Sequence, residues 1–152
     1  MSSRPLQRAD LMALAGSMKD IQRRALLSLT SDEHPGPSMA RLWDNKPIGG
    51  AFERAGFLIA VAGAVEVHPG VASTFLYATD DMGKVILELS RYFKLLFAHL
   101  KGMGFHRVHS LGLANDPEGR RWKEDVLGAW PEAHLEKFGK GGEDFVLHAI
   151  LL

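Results

Sequence analysis

The sequence predicts a mixed α/β (α+β) fold, one sheet with helices on its faces, and three observations carry that expectation. Residues 51–79 alternate and break in the way of three strands joined by tight turns. The period then switches to helical over residues 84–100, and a strand pattern returns at 106–111. The chain closes on two apolar runs separated by "GKGGED", the pattern of a hairpin.

Residues 8–30 begin the pattern. Leu11, Leu14, Met18, Ile21, Ala25 and Leu26 fall on one helical face, and Gly16 kinks or divides it. The stretch 31–50, "SDEHPGPSMARLWDNKPIGG", is rich in Pro, Gly and polar residues and reads as a loop with one helical turn at Met39–Trp43. In the meander, residues 51–55 form a short strand, Ala55–Gly56 a turn and Phe57–Val67 a longer strand. His68–Pro69–Gly70 turns the chain again into Val71–Thr79.

Val85, Leu89, Phe93, Leu96 and Leu100 line the following helix, widened by Ile86, Tyr92 and Phe97, so it must lie on a sheet. A strand–helix–strand unit of this length implies a parallel pairing with a right-handed crossover. Residues 115–129, "NDPEGRRWKEDVLGA", then read as one helix. Asp116 caps it, Pro117 takes the first turn, Trp122, Val126 and Ala129 form its apolar stripe, and Gly128 stops it. Ala133–Phe138 and Phe145–Leu152 form the closing hairpin.

Composition narrows the function. The 152 residues suit one domain, 1–152, with a helical and loop part at 1–50 and a sheet core with two helices at 51–152. Eighteen Lys and Arg balance eighteen Asp and Glu, so the positive excess of a nucleic-acid coat protein is missing. With no cysteine, disulfides, thiol nucleophiles and thiolate metal sites are excluded. The first twenty residues carry no signal-peptide pattern and no apolar run is long enough for a transmembrane segment, which points to the cytoplasm. His106 and His109, three apart on a strand, point to opposite faces, so no metal site is expected.

The order of elements, together with "NDPEGRRWKEDVLGA", resembles the GNAT acyltransferase fold. The positions that carry the likeness are Asn115 at the end of the fifth main strand, the aromatic Trp122, and Gly128–Ala129. "FLYATDD" before the long helix and "RW" in the next resemble small GNAT-like proteins of tailed phages of the internal virion protein A type. The likeness covers roughly residues 4–152.

This resemblance implies a GNAT-like mixed sheet with acetyl-CoA lying in a V between the third and fourth main strands. Its pyrophosphate would sit on the backbone N–H groups of Met82, Gly83, Lys84 and Val85, with Asn115 and Trp122 alongside. A helix N-terminus suits a phosphate physically, because its N–H groups are free and its dipole end is positive. The family's glycine-rich loop reads here as "DDMGKV", in which Gly83 alone fits. Asp80 stands where Gln or Arg is expected, Val85 replaces a small residue, and Trp122 replaces an acidic tyrosine with an indole. Those departures favour a virion-associated or interaction component with a degraded acetyltransferase site. Its partners would be phage virion proteins, in the host cytoplasm or the particle. The alternative is an active N-acetyltransferase, with Tyr77 as proton donor and Glu66, or a water held by Asp80 and Asp81, as base. Arg107, Arg120, Arg121 and Lys123 form a modest basic group that a solvated helix face explains, with contact to CoA phosphate or to an acidic partner surface as the alternative.

Overall fold

The computed structural model describes residues 3–152. In chain order the elements are β1 (Ser3–Pro5), α1 (Arg8–Ala15), α2 (Asp20–Leu27), α3 (Gly36–Asp44), β2 (Ile48–Arg54), β3 (Phe57–His68) and β4 (Val71–Ala78). A 3₁₀ turn at Met82–Val85 leads into α4 (Ile86–Gly102), followed by β5 (Arg107–Leu113) and α5 (Pro117–Arg121). A π-turn at Trp122–Val126 continues α5, and β6 (Trp130–Leu135) and β7 (Phe145–Leu151) close the chain. The seven strands form one mixed sheet in the order β1-β2-β3-β4-β5-β7-β6, antiparallel everywhere except between β4 and β5.

The sheet is covered on both faces. Leu89, Phe93, Leu96 and Leu100 of α4 pack on Phe52, Ala60, Ala62, Ala72 and Val108. Leu11 and Leu14 of α1 and Met39 of α3 pack on Ala51, Val61 and Phe75 on the other face. Double coverage explains why Ile59–Ala64 reads as a continuous apolar run and not as an alternation: all six residues are buried. Gly63 allows the close approach of β2, since a Cβ there would lie 2.2 Å from the Ile48 carbonyl oxygen.

The N-terminal part departs from the expected loop. Residues 36–44 form a nine-residue helix, α3, because Met39 and Ser38 are buried against α1 and the sheet. β2 begins at Ile48 and not at residue 51, since Ile48–Gly50 pair with Ala62–Ala64. Ser3–Pro5 adds an edge strand whose Arg4 bonds Asp10 and Glu53. Gly16 does divide the first helical stretch, capping α1 before α2 starts at Asp20.

The expected 115–129 helix is also modified. Leu127 N–H bonds the Trp122 carbonyl, five residues back, and the wider turn moves the inward position from Val126 to Leu127. Val126 is accordingly exposed. Gly128, at φ 77°, ends the segment as expected. β6 lies three residues earlier than the expected Ala133–Phe138. Lys137 adopts φ 52°, which breaks the strand, and Phe138 folds back onto Phe145.

Candidate functional site

Strands β4 and β5 pair only at Val71–Ser73 with Arg107–His109. Beyond that point they part, although β4 runs on to Ala78 and β5 to Leu113. The gap is a V, and a cavity of about 420 Å³ fills it. One wall comes from α2 (Ile21, Gln22, Leu26), the opposite wall from Met82, Ile86, Trp122 and His148.

Strand parting leaves backbone groups without strand partners. Thr79 N–H bonds Ile59 of β3, so the alternation of β4 turns the peptide groups of Leu76 and Ala78 toward the V. Ala78 is already claimed by α2: its N–H donates to Gln22 Oε1 at 2.7 Å, and its carbonyl accepts from Lys19 N–H at 2.7 Å. Leu76 faces the opened gap one step deeper. An exposed strand edge of this kind is a template for a linear ligand with amide groups.

The turn before α4 is partly committed to its own fold. Met82 N–H bonds the Thr79 carbonyl at 3.1 Å and Lys84 N–H the Asp81 carbonyl at 2.9 Å. Arg54 reaches from β2 to the Lys84 carbonyl and to Glu88. The Val85 side chain is fully buried in the core, so its branching does not obstruct the outer surface of the turn. Gly83 is exposed, with open space where a Cβ would point. Lys84 rests against Asp81 at 3.3 Å, both in solvent.

Other expected site residues fall as follows. Tyr77 lines the cavity from the α2 side, and burial pushes its hydroxyl up to about 12. Glu66 pairs with Ala72 at the closed end of the V and is exposed, so it does not line the cavity. Asp80 is exposed beyond the end of β4 and likewise lies off the wall. Asn115 is exposed and makes no side-chain hydrogen bond among the described residues; its neighbour Asp116 lines the cavity and caps α5 at Gly119 N–H, 3.1 Å. Trp122 lines the cavity and donates its indole N–H to Ser90 at 3.0 Å. Among the described residues no three His, Asp or Glu side chains converge as metal ligands, and no helix is long and apolar enough to cross a membrane.

One cavity residue escapes the sequence reading, and a second, Lys123, enters it only as part of a basic group on a solvated face. His148 is 2% exposed on β7 and bonds Glu124. Lys123 sits inside the wall, where burial pushes its ammonium below the usual lysine range. Its Nζ lies 2.8 Å from where a Cβ on Gly112 would stand, so the glycine makes its room. A lone glycine inside the strand pattern was the available signal for that close approach.

No family model matches the chain, and no curated protein matches it. Solved structures do. A ribosomal-protein-alanine N-acetyltransferase from Brucella melitensis superposes at TM-score 0.76 and 16% identity, over 100% of both chains. The fold is that of the GNAT acetyltransferases. A GNAT phosphinothricin acetyltransferase from Sinorhizobium meliloti, solved in complex with acetyl-CoA, matches at TM-score 0.74 and 19% identity, over 99% of this chain and 88% of that one. A spermidine N-acetyltransferase variant from Vibrio cholerae matches at 0.71 and 19%, over 99% and 92%. The likeness runs over nearly the whole chain and so takes in the full seven-stranded sheet.

Proposed function

We propose that the chain is an acetyl-CoA-dependent N-acetyltransferase. The observation that carries this reading is the open V, with the unpaired edge of β4 at Leu76 facing a cavity of about 420 Å³. Such an edge suits the amide-bearing arm of CoA, and the exposed face of Gly83 admits a phosphate close to the backbone. Within Met82–Val85 the open backbone at Gly83 would meet the pyrophosphate, since the Met82 and Lys84 N–H groups are spent on Thr79 and Asp81, with Trp122 along the wall and Asn115 at the rim. Lys84 needs only to leave Asp81, and an exposed ion pair is worth about 0–1 kcal/mol.

Bound acetyl-CoA supplies a thioester, an acyl group activated toward an amine. The chain's part is to orient and to exclude water. Ile21, Leu26 and Tyr77 make the α2 side apolar, which suits a neutral amine, and Tyr77 keeps its proton at neutral pH. By the alternation of β4, Leu76 N–H would be free to polarise a carbonyl lying in the V. Glu66 has no part in this, being at the closed end.

The virion-component reading rests on Asp80, Val85 and Trp122. Asp80 points to solvent and Val85 is core, so neither closes the V. Isothermal titration with acetyl-CoA tests the choice, with Gly83→Glu as control. Micromolar binding lost in the variant is the expected result. No heat up to millimolar ligand would overturn the enzyme reading and favour a component that works through virion or other protein partners.

A further inference from the structure

The cavity wall contains an amine with no partner. Lys123 is partly buried in the π-turn after α5 and lines the cavity, and among the described residues its Nζ makes no hydrogen bond and no ion pair. Asp116 is the charged group that acts on it, and that carboxylate is already spent on capping Gly119 N–H. Burial outweighs the attraction and favours the neutral amine. A lysine on a helix surface normally swings its ammonium into water, whereas this one is held inward.

Sheet register locates this amine. Val71, Ala72 and Ser73 of β4 pair with Arg107, Val108 and His109 of β5, so counting on along both strands sets Leu76 across the V from Gly112. Ala72 and Val108 face α4, and by alternation Leu76 and Gly112 share that face. A Cβ on Gly112 would stand 2.8 Å from Lys123 Nζ and, beyond its chain neighbours, would meet only that atom within 4 Å. The amine fills the space that the glycine leaves. It therefore lies beside the gap at the level of Leu76, whose N–H is the group assigned above to a carbonyl in the V. Other polar groups on that wall are committed: the Trp122 indole to Ser90, and His148 Nε2 to Glu124.

We propose that Lys123 is itself an acceptor: the chain acetylates its own Nζ, once, from acetyl-CoA held in the V. The inference rests on the acetyltransferase reading above. The Nζ lone pair attacks the thioester carbon, a C–N bond forms, the C–S bond breaks and its electron pair leaves with the sulfur. Nitrogen loses one proton and sulfur gains one through solvent, so the products are an uncharged amide and the thiol of CoA. Such a step needs an amine with a free lone pair, held next to the acyl group. Burial supplies the first condition and the place over Gly112 the second. The amide carries no charge, so it is easier to bury than an ammonium, and it occupies the gap. Modification is therefore self-limiting at one acetyl per chain.

The purified chain is incubated with isotope-labelled acetyl-CoA and its peptides are mapped by mass spectrometry. Lys94 and Lys101, exposed on α4, report ordinary collision. Label on Lys123 should appear at least about tenfold faster than on either, saturate with acetyl-CoA and stop near one acetyl per chain. Gly112→Ala, whose new Cβ meets only the movable amine, should slow Lys123 about tenfold and leave Lys94 unchanged. A second readout needs no transfer. CoA, which carries no acetyl group, should shield Lys123 from acetic anhydride and leave Lys94 and Lys101 reactive. Label spread over the lysines in proportion to exposure, or an anhydride reaction at Lys123 that bound CoA does not slow, would overturn the proposal. Should Gly112→Ala fail to fold, the wild-type maps decide by the same two criteria. A wild-type protein that binds neither CoA nor acetyl-CoA on titration overturns the acetyltransferase reading itself, and the proposal with it.

Discussion

The indole N–H of Trp122 donates to Ser90 Oγ at 3.0 Å, tying the π-turn after β5 to the long helix α4 beside the cavity. Ser90 in turn donates to the Ile86 carbonyl at 2.8 Å, and the Trp122 ring meets Phe93 edge-on with centroids 5.6 Å apart. One aromatic side chain therefore joins the two elements whose separation sets the width of that wall.

Trp122→Phe keeps a ring against Phe93 and removes the indole N–H. The expected loss is about 1 kcal/mol, the net worth of one hydrogen bond plus a little packing. Trp122→Ala should cost about 3 kcal/mol by leaving a void. Urea unfolding of the two variants measures both, and equal losses would show that the hydrogen bond contributes nothing separable.

Arg4 grips Asp10 through two bonds of 2.7 and 2.8 Å and reaches Glu53 at 2.7 Å, pinning the edge strand to α1. Burial raises the Asp10 carboxyl, but the bonds from Arg4 and from Gln7 N–H outweigh it, and the group titrates below its usual value of 3.8. A depressed carboxyl stabilises the fold above its unfolded pKa and loses that contribution as pH falls through the folded one. Asp10→Asn should therefore cost about 1–2 kcal/mol at pH 7, less than a fully buried pair because Arg4 is 37% exposed. The gap between the two proteins should narrow below about pH 4, followed by urea midpoints across pH.

Gly63 and Gly83 should answer alanine in opposite ways. At Gly63 the new Cβ would meet the Ile48 carbonyl oxygen at 2.2 Å and Gly49 Cα at 2.7 Å, so β2 must move. A loss of about 2 kcal/mol or more is expected. At Gly83 nothing lies within 4 Å. Gly83→Ala should leave the thermal midpoint close to wild type and, on the proposed function, acetyl-CoA binding as well, whereas Gly83→Glu should abolish that binding.

Lys123→Met should stabilise the protein by about 1 kcal/mol at neutral pH, since a buried ammonium is replaced by an apolar chain of similar length. The wild-type amine is disfavoured in its charged form, so its penalty fades as pH rises through the lowered folded pKa. The advantage of the variant should fade over the same range. A constant advantage across pH would assign it to packing instead.

Much of the fold was legible in the residues themselves. The meander, the α4 stripe and the β7 run are local patterns, because each side chain's burial repeats with the geometry of its own element. Gly16 and Gly128 punctuate the chain where their sequence positions say they should. The helix over 36–44 was hidden by Gly36 and Pro37, which sit in its first turn and cost it little there. The π-turn was hidden too, since moving the inward residue from Val126 to Leu127 depends on what α5 packs against.

By itself, then, the sequence determined the order and kind of most elements, the burial of the central strands and the resemblance to the GNAT fold. Tertiary structure alone decided where β4 and β5 cease to pair, that Val85 turns into the core, and that His148 meets Glu124 across 24 residues of chain. The physical reason is that periodicity records how one element meets solvent and core. The width of a gap between strands, and the side chains that converge on it, are set by packing among distant segments, which no local pattern encodes.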